Sequence, residues 1–372
     1  MQIYRHPPTL IATALAVGAL AIVPTGAQAR PFHYLNHLRG EVRVGQLMIN
    51  PDPASEGMTV TSSHRLRLGG NGQVTLNCSN GTRHPLNRPG TYAVKNYCPG
   101  EGALPAGPTN LPRDPFDQGL PYVLSPRNTA LMAPENLLLT WNPVPGATSY
   151  QVQIKGRGVD WAVEVGEPQV TFPDRAGLQP NYRYAVVITA VITADNRVSS
   201  GNGPPVGFTV LPAAEVERVK QAVEQIQSQG LEPDIEAIAL AMLYLDYKHS
   251  DPDWRSYALN YSALQVLAAR IEAGTENPTL YLLQAEAYLA SDLPLWAQAS
   301  YEQAMALGQR LQQREIQAKS QVGLGEIAAG QTDYPGAIAH LQAAQTLYGE
   351  LGDRQQVGAL QNRISTLEKE RP

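Results

Sequence analysis

The chain has 372 residues, which is long for a single domain and favours two or three. Hydrophobic residues make up 43% of the chain, which is enough to build cores and excludes a wholly disordered protein. The net charge is −5, and residues 211–372 alone carry 12 Lys and Arg against 21 Asp and Glu. Such an acidic half argues against nucleic acid or anionic lipid as its partner.

The N-terminus has the features of a secretory signal peptide. Arg5 precedes an apolar run over residues 9–23, and small residues up to Ala29 suit a cleavage site. The run is shorter than the roughly 20 residues that a membrane-spanning helix needs. We therefore expect a signal peptide over residues 1–29 and a mature chain that begins at Arg30. The mature chain is expected in the periplasm or outside the cell, without stable insertion in a membrane.

Residues 30–98 have the pattern of a small β domain. GEVRVGQLMI, HRLRLGGNGQVTLNC and GTYAVKNYC alternate apolar and polar residues, which predicts short strands. The two cysteines of the chain, Cys78 and Cys98, both lie here, and an oxidising compartment favours a disulfide between them. Through GEVRV and LRLGGNGQVTLNCSNG the segment resembles the β domain of FecR-type envelope proteins, which implies a signalling component.

Residues 99–120 are rich in proline and glycine, which predicts a semi-rigid linker. Such a linker is expected to isolate the β domain from the rest of the chain. A disulfide in that domain would then stabilise the β domain and leave later segments unaffected.

Residues 121–211 have the pattern of a β-sandwich. LLLTW and SYQVQIKG alternate on either side of a proline-containing turn, and Leu178, Pro180 and Tyr184 follow in LQPNYRY. This Leu-Pro-Tyr spacing resembles the tyrosine corner of fibronectin type III domains, and Trp141 matches their core tryptophan. The resemblance implies a Tyr184 hydroxyl bonded to nearby backbone. Another immunoglobulin-like sandwich is the alternative.

Residues 212–372 have helical periodicity and repeat themselves. LYLLQAEAYLASDLPLWAQASYEQAMAL superimposes on SQVGLGEIAAGQTDYPGAIAHLQAAQTL, with small residues at matching positions. Ala263, Ala297 and Ala337 fall at offsets of 34 and 40 residues, so the second interval needs a longer turn or longer helices. These features resemble tetratricopeptide repeats, which implies a stack of antiparallel helix pairs closed by a capping helix. Simple amphipathic helices without a repeat architecture are the alternative.

In tetratricopeptide arrays the first helix of each pair lines the concave face, and the resemblance assigns eight residues to it. They are Thr279, Leu282, Glu286, Leu289, Lys319, Val322, Glu326 and Ala329. Family members that capture acidic peptide C-termini use lysine, asparagine and arginine there. The glutamates of this chain would repel a carboxylate. We therefore expect a neutral or basic protein or peptide partner, anchored on Leu282, Leu289 and Val322.

The sequence contains no nucleophile elbow, zinc-protease helix, dinucleotide fingerprint or P-loop. His33 and His37 have a spacing that suits two metal ligands on a helix, but no third ligand lies at a meaningful distance. We therefore expect no catalytic, metal or cofactor site, and a chain that is not an enzyme.

The expected fold is multidomain α+β, with a small β domain, a fibronectin type III-like sandwich and an all-α tetratricopeptide solenoid. Such an arrangement suits an exported scaffold or adaptor that holds another protein on its concave face. The alternatives are a carbohydrate-binding or carbohydrate-processing accessory protein, which would use an exposed aromatic row on the sandwich, and the FecR-like signalling component.

Overall fold

The computed structural model describes residues 33–45, 51–54, 59–60, 62, 64–78, 82–98, 119–132, 137–173, 177–193, 196–200, 206–248 and 258–371. The predicted signal peptide and almost all of the predicted linker lie outside these ranges. Within them, an N-terminal β region is followed by a second β region and then by eight helices, so the fold is α+β with several domains. Below, β domain denotes residues 33–98, sandwich 121–211 and helical array 212–371.

The β domain consists of short strands in two antiparallel sheets. One sheet has the order β4-β1-β6-β7 and the other the order β3-β2-β5-β8. Alternating side chains point into the core, which includes Leu35, Leu66 and Leu76. The strands are β1 (His33–Arg39), β2 (Val42–Gly45), β3 (Asp52–Pro53), β4 (Thr59–Val60), β5 (Arg65–Leu68), β6 (Gln73–Asn77), β7 (Arg83–Leu86) and β8 (Gly90–Ala93).

The predicted disulfide is confirmed. Cys78 and Cys98 are bonded, with their Cα atoms 5.1 Å apart, and both side chains are fully buried in the core of the β domain. The bond ties the end of β6 to the chain just after a 3-10 turn at Val94–Asn96. Closing a loop of 20 residues stabilises the folded state by about 3 kcal/mol in the chain-entropy model.

The second β region is a sandwich of two sheets. A three-stranded sheet has the order β14-β11-β9, and the facing sheet has the order β10-β17-β15-β12-β13, with β16 paired to β15. Trp141 lies in the core between them, in an edge-on contact with Tyr150 at 5.4 Å between ring centroids. The strands are β9 (Val123–Ser125), β10 (Thr129–Leu131), β11 (Leu137–Trp141), β12 (Ser149–Gly156), β13 (Val159–Val165), β14 (Gln169–Phe172), β15 (Arg183–Val191), β16 (Arg197–Ser199) and β17 (Gly207–Val210).

The hydrogen bond predicted for Tyr184 is confirmed. Its hydroxyl accepts a bond of 2.6 Å from the backbone N–H of Gln179, and the ring is fully buried. The bond fixes the crossing of the chain from one sheet to the other, immediately before β15 begins.

The helical array contains eight helices in its described part. They are α1 (Ala213–Gln227), α2 (Pro233–Leu245), α3 (Asn260–Glu272), α4 (Pro278–Ala290), α5 (Pro294–Arg310), α6 (Arg314–Gly330), α7 (Tyr334–Leu351) and α8 (Arg354–Glu370). No helix in the described ranges is long and apolar enough to span a bilayer.

Consecutive helices from α2 to α8 pack against each other, and α4 also contacts both α2 and α6, so these three helices form an inner row. Small residues allow the close approach that the sequence predicted. A Cβ atom on Gly323 of α6 would lie 2.2 Å from the Tyr301 ring of α5, and only glycine fits there. The larger second offset comes from longer helices, since α5 and α6 have 17 residues each and only three residues connect them.

Candidate protein-interaction surface

The residues predicted to line the concave face lie on α4 and α6, two neighbouring helices of the inner row. Three of the four on α4 are not on an open surface. Thr279, Leu282 and Leu289 are 2%, 4% and 3% exposed. Both leucines belong to a core cluster with Tyr301 of α5 and Leu324 of α6. The prediction that these two leucines anchor a partner is therefore corrected, because their apolar surface is already covered by the chain itself.

The residues predicted on α6 remain partly accessible, but the charge of one of them, Glu326, is neutralised. Val322 and Ala329 are half-buried at the edge of the core formed by α6, α7 and α8. Glu326 accepts hydrogen bonds from Arg363 of α8, with Nε to Oε1 at 2.9 Å and Nη2 to Oε2 at 2.7 Å. A bidentate guanidinium compensates the charge of Glu326, so this carboxylate does not face a partner unopposed.

Glu286 is the unusual residue of the surface. It lies on α4 and is half-buried, and its Oε2 is enclosed without a hydrogen bond in the described structure. Burial raises the pKa of Glu286 to about 7, while the positive charge of Lys319 acts in the opposite direction. The carboxylate is therefore poorly compensated at neutral pH.

Lys319 relieves Glu286 only in part, because its ammonium group is paired with another carboxylate. Its Nζ lies 2.6 Å from Oε1 of Glu315, one turn earlier on α6, and His64 of the β domain lies 3.2 Å from Oε2 of the same residue. Burial disfavours ionisation of Glu315, but Lys319 and His64 outweigh it and hold the pKa of Glu315 well below its usual range. Lys319 is thus paired with a carboxylate of its own chain.

The β domain is not isolated, contrary to the expectation from the linker. Asp52 of β3 is 1% exposed, forms an ion pair with Arg314, and accepts a hydrogen bond of 3.1 Å from the Arg314 backbone N–H at the start of α6. The proline-rich composition describes the connecting segment, but it does not determine whether the domains on either side touch each other.

The sandwich also contacts the array, through residues that the sequence did not single out. Arg127, which follows β9, is 6% exposed. It donates from Nε to the carbonyl of Ser291 at 3.0 Å and from Nη2 to Oδ2 of Asp292 at 2.7 Å, both in the turn between α4 and α5. Tyr122 stacks on Trp296 of α5, with ring centroids 6.1 Å apart. No local pattern could identify this contact, because the two sides lie about 165 residues apart in sequence.

A second contact joins the sandwich to α3. Ala130 of β10 donates from its backbone N–H to the carbonyl of Ala258 at 3.0 Å, and the Thr129 hydroxyl accepts from the N–H of Tyr261 at 3.0 Å. Ala130 also belongs to the core cluster of α1, α2 and α3. The sandwich therefore contacts the inner row near the C-terminal end of α4, and the β domain contacts it near the N-terminal end of α6.

The geometry of the described residues gives little support to a metal site or to a carbohydrate-binding surface. His33 and His37 lie on a strand, β1, rather than on a helix. Among the described residues, no group of three or more His, Cys, Asp or Glu side chains is placed to hold a metal ion. Trp161 packs edge-on against Phe172 at 5.1 Å, and Tyr182 lies beneath Arg157. These two aromatic residues are half-buried and so do not form the exposed row that a carbohydrate-binding sandwich would need.

Comparison with known proteins adds one partial similarity. No protein-family model matches the chain, and no curated protein matches it. Among solved structures, the chain is similar to the fn3 domain of human collagen alpha-1(XX) chain, solved in solution, with 25% sequence identity. The match covers 23% of this chain and 89% of that domain, with a TM-score of 0.16. That score is too low to support an argument. The description of residues 121–211 as a sandwich of two sheets therefore rests on their own strand order.

Proposed function

We propose that this chain is an exported, non-enzymatic scaffold that holds a partner protein on the inner row of its helical array. On this proposal the helices are tetratricopeptide repeats and the sandwich is a fibronectin type III module. The stacked helix pairs and the contacts of both β regions with the ends of the array support it. A solenoid held in this way presents an extended surface of fixed shape.

The observation that carries the proposal is the carboxylate of Glu286. Buried polar groups in folded proteins nearly always have hydrogen-bond partners, and one that lacks them calls for a specific reason. Retaining a poorly compensated carboxylate lowers stability, and strongly perturbed carboxylates cluster at functional sites. A positive charge on a bound protein, placed beside the half-buried side chain, would compensate the carboxylate.

The chemistry of the surface indicates what the partner segment offers. Glu286 attracts a positive charge, and Val322 and Ala329 supply partly accessible apolar surface on the neighbouring helix α6. We propose a neutral or basic segment with small apolar anchors at these two residues. The preference rests on Glu286 alone, since Arg363 neutralises Glu326.

Export is part of the proposal. The apolar run and small residues before Arg30 support cleavage of a signal peptide, and the buried disulfide supports an oxidising compartment. The experiments below therefore use the chain that begins at Arg30, produced in an oxidising compartment.

A peptide-binding screen on residues 30–372 tests the preference of the surface. We expect basic and neutral peptides to bind better than acidic ones, and Glu286→Gln to weaken the basic peptides by about tenfold, the effect of one charged contact. Glu302→Gln is the matched control, because Glu302 is exposed on α5. Preferential binding of acidic peptides, or unchanged binding of basic peptides to Glu286→Gln, would overturn the proposed preference.

A further inference from the structure

The outer face of one sheet of the β domain carries three arginines close together. In β5, Leu66 and Leu68 point into the core, while Arg65 and Arg67 alternate with them and are exposed. Arg43 of β2 is also exposed, and it lies directly opposite Arg67 in the antiparallel pairing of the two strands. Neighbours of this kind are about 5 Å apart across strands and about 7 Å apart along one strand. The three side chains therefore form a compact positive surface, called the arginine face below.

The residues around the arginine face compensate little of its charge. The four residues that flank the arginines in the strand register are uncharged, and they are Gly45, Pro53, Thr91 and Ala93. Glu41 accepts a hydrogen bond of 3.1 Å from Nε of Arg43, but the two side chains are 62% and 44% exposed, so the pair contributes little. The Arg65 side chain forms no hydrogen bond or ion pair with another residue of the described ranges.

The stability of the β domain does not account for the arginine face. Like charges that lie directly opposite each other on two strands destabilise a sheet, as Arg43 and Arg67 do here. Charged residues on an edge strand prevent aggregation, but β2 and β5 both lie inside the sheet order β3-β2-β5-β8. A bound anion would offset the repulsion, which indicates a binding role for these side chains.

The charge distribution along the chain limits the kind of anion that fits. Residues 30–98 carry eight Lys and Arg against three Asp and Glu, whereas residues 211–372 carry 12 against 21. The two parts are in contact through the Asp52–Arg314 ion pair. A long polyanion, such as a nucleic acid or the surface of an anionic membrane, would extend beyond the arginine face and meet the acidic array. A short acidic segment of a protein avoids that repulsion.

We propose that the arginine face is a docking site for a partner protein, which binds through an extended segment with acidic residues at alternate positions. In such a segment, side chains two residues apart lie on the same side at about 7 Å, which is also the spacing of Arg65 and Arg67 along β5. Arginine suits this role because its planar guanidinium group holds a carboxylate by two parallel hydrogen bonds. The site is separate from the inner row, and its preference is opposite to the one proposed for Glu286.

Two fluorescently labelled peptides of equal composition test the spacing that the site recognises. The probe is Ser-Glu-Ser-Glu-Ser-Glu-Ser, and its control is Ser-Ser-Glu-Glu-Glu-Ser-Ser, which has the same charge in one block. Binding to residues 30–372 is followed by fluorescence anisotropy at low ionic strength. We expect the alternating peptide to bind more tightly than the control and to be released by added salt.

Variants of the protein test whether the arginine face is the site that binds the peptide. Replacing Arg65 and Arg67 together by glutamine should weaken the alternating peptide by about tenfold or more, because two charged contacts are lost. The matched control replaces Arg39 and Arg83 by glutamine, and it should leave binding nearly unchanged. These two arginines are exposed on the other sheet of the same domain. Because all four side chains are exposed, both double variants are expected to fold.

Several outcomes would overturn the inference. They are equal binding of the two peptides, equal losses in the two double variants, and no binding of the alternating peptide. Tighter binding of dextran sulfate or of phosphatidylglycerol vesicles, dependent on Arg65 and Arg67, would also overturn it, because the face would then serve a polyanion. None of these results bears on whether the inner row binds a partner, since the array is unchanged in every variant.

Discussion

Replacing Arg127 by alanine is expected to lower the free energy of unfolding by about 2–4 kcal/mol, because it leaves a partly buried carboxylate without its cation. Asp292 is 24% exposed, and the loss of Arg127 removes the hydrogen bonds to Asp292 and to the Ser291 carbonyl together. The Tyr122 ring, over which the guanidinium lies at 4.2 Å, loses its cation–π contact as well. Urea unfolding followed by circular dichroism measures the change.

The control for Arg127 is an exposed ion pair of the same domain. Lys155 and Asp160 lie 3.9 Å apart with side chains 56% and 79% exposed, so Lys155→Ala should change stability by less than about 0.5 kcal/mol. Arg127→Lys should fall between the two, because lysine keeps the charge but cannot form the same forked set of hydrogen bonds. If Arg127→Ala is as stable as the wild type, the contact between sandwich and array is not held by this side chain.

Replacing Glu286 by glutamine is expected to stabilise the protein at alkaline pH. The pKa of Glu286 in the folded chain is about 7, against an ordinary value of 4.5, so the folded state binds more protons than the unfolded state between these values. Wild-type stability should therefore fall as pH rises from about 4.5 to 7, and the deficit should persist above pH 7. We expect Glu286→Gln to be more stable than the wild type by about 2–3 kcal/mol at pH 8 and nearly equal to it at pH 4.

The measurement is the difference between wild type and variant in urea unfolding at pH 4, 6 and 8, which cancels the titration of all other groups. Glu302→Gln should show a flat difference, because that carboxylate is exposed. A Glu286→Gln variant that is less stable than the wild type at pH 8 would mean that Lys319 compensates the carboxylate after all. Glu286 would then no longer support the proposal that the inner row binds a partner.

The features that were predictable from sequence depend on local spacing. The period-two alternation around Trp141, the Leu-Pro-Tyr spacing that ends at Tyr184, and the pairing of two cysteines in one small domain each constrain the fold over a few tens of residues. The repeat of small residues on α5 and α7 similarly predicted helices that approach closely. These signals work because strands and helices have fixed periods, so a buried face can be identified from the sequence.

The features that could not be predicted are side-chain contacts between domains. Asp52 has no sequence signal for Arg314, and Arg127 has none for Asp292, because these pairs form only after three parts of the chain have folded and docked. Leu282 and Leu289 were assigned to an open face by their position in the repeat. Their burial depends on neighbouring elements, which helical position alone does not determine.

The central claim, that a partner protein lies on the inner row, is tested most directly by photo-cross-linking in cells that produce the protein. A photoreactive amino acid is placed in the full-length protein at Ala290 of α4 or Ala329 of α6, and as controls at Ala299 of α5 or Ala339 of α7. Both control positions are exposed alanines on α5 and α7, the helices outside the inner row. The size and chemistry of the change are therefore matched. The account predicts one cross-linked protein from positions 290 and 329 and none from 299 and 339. Equal cross-linking from all four positions, or cross-links only from the outer helices, would contradict it.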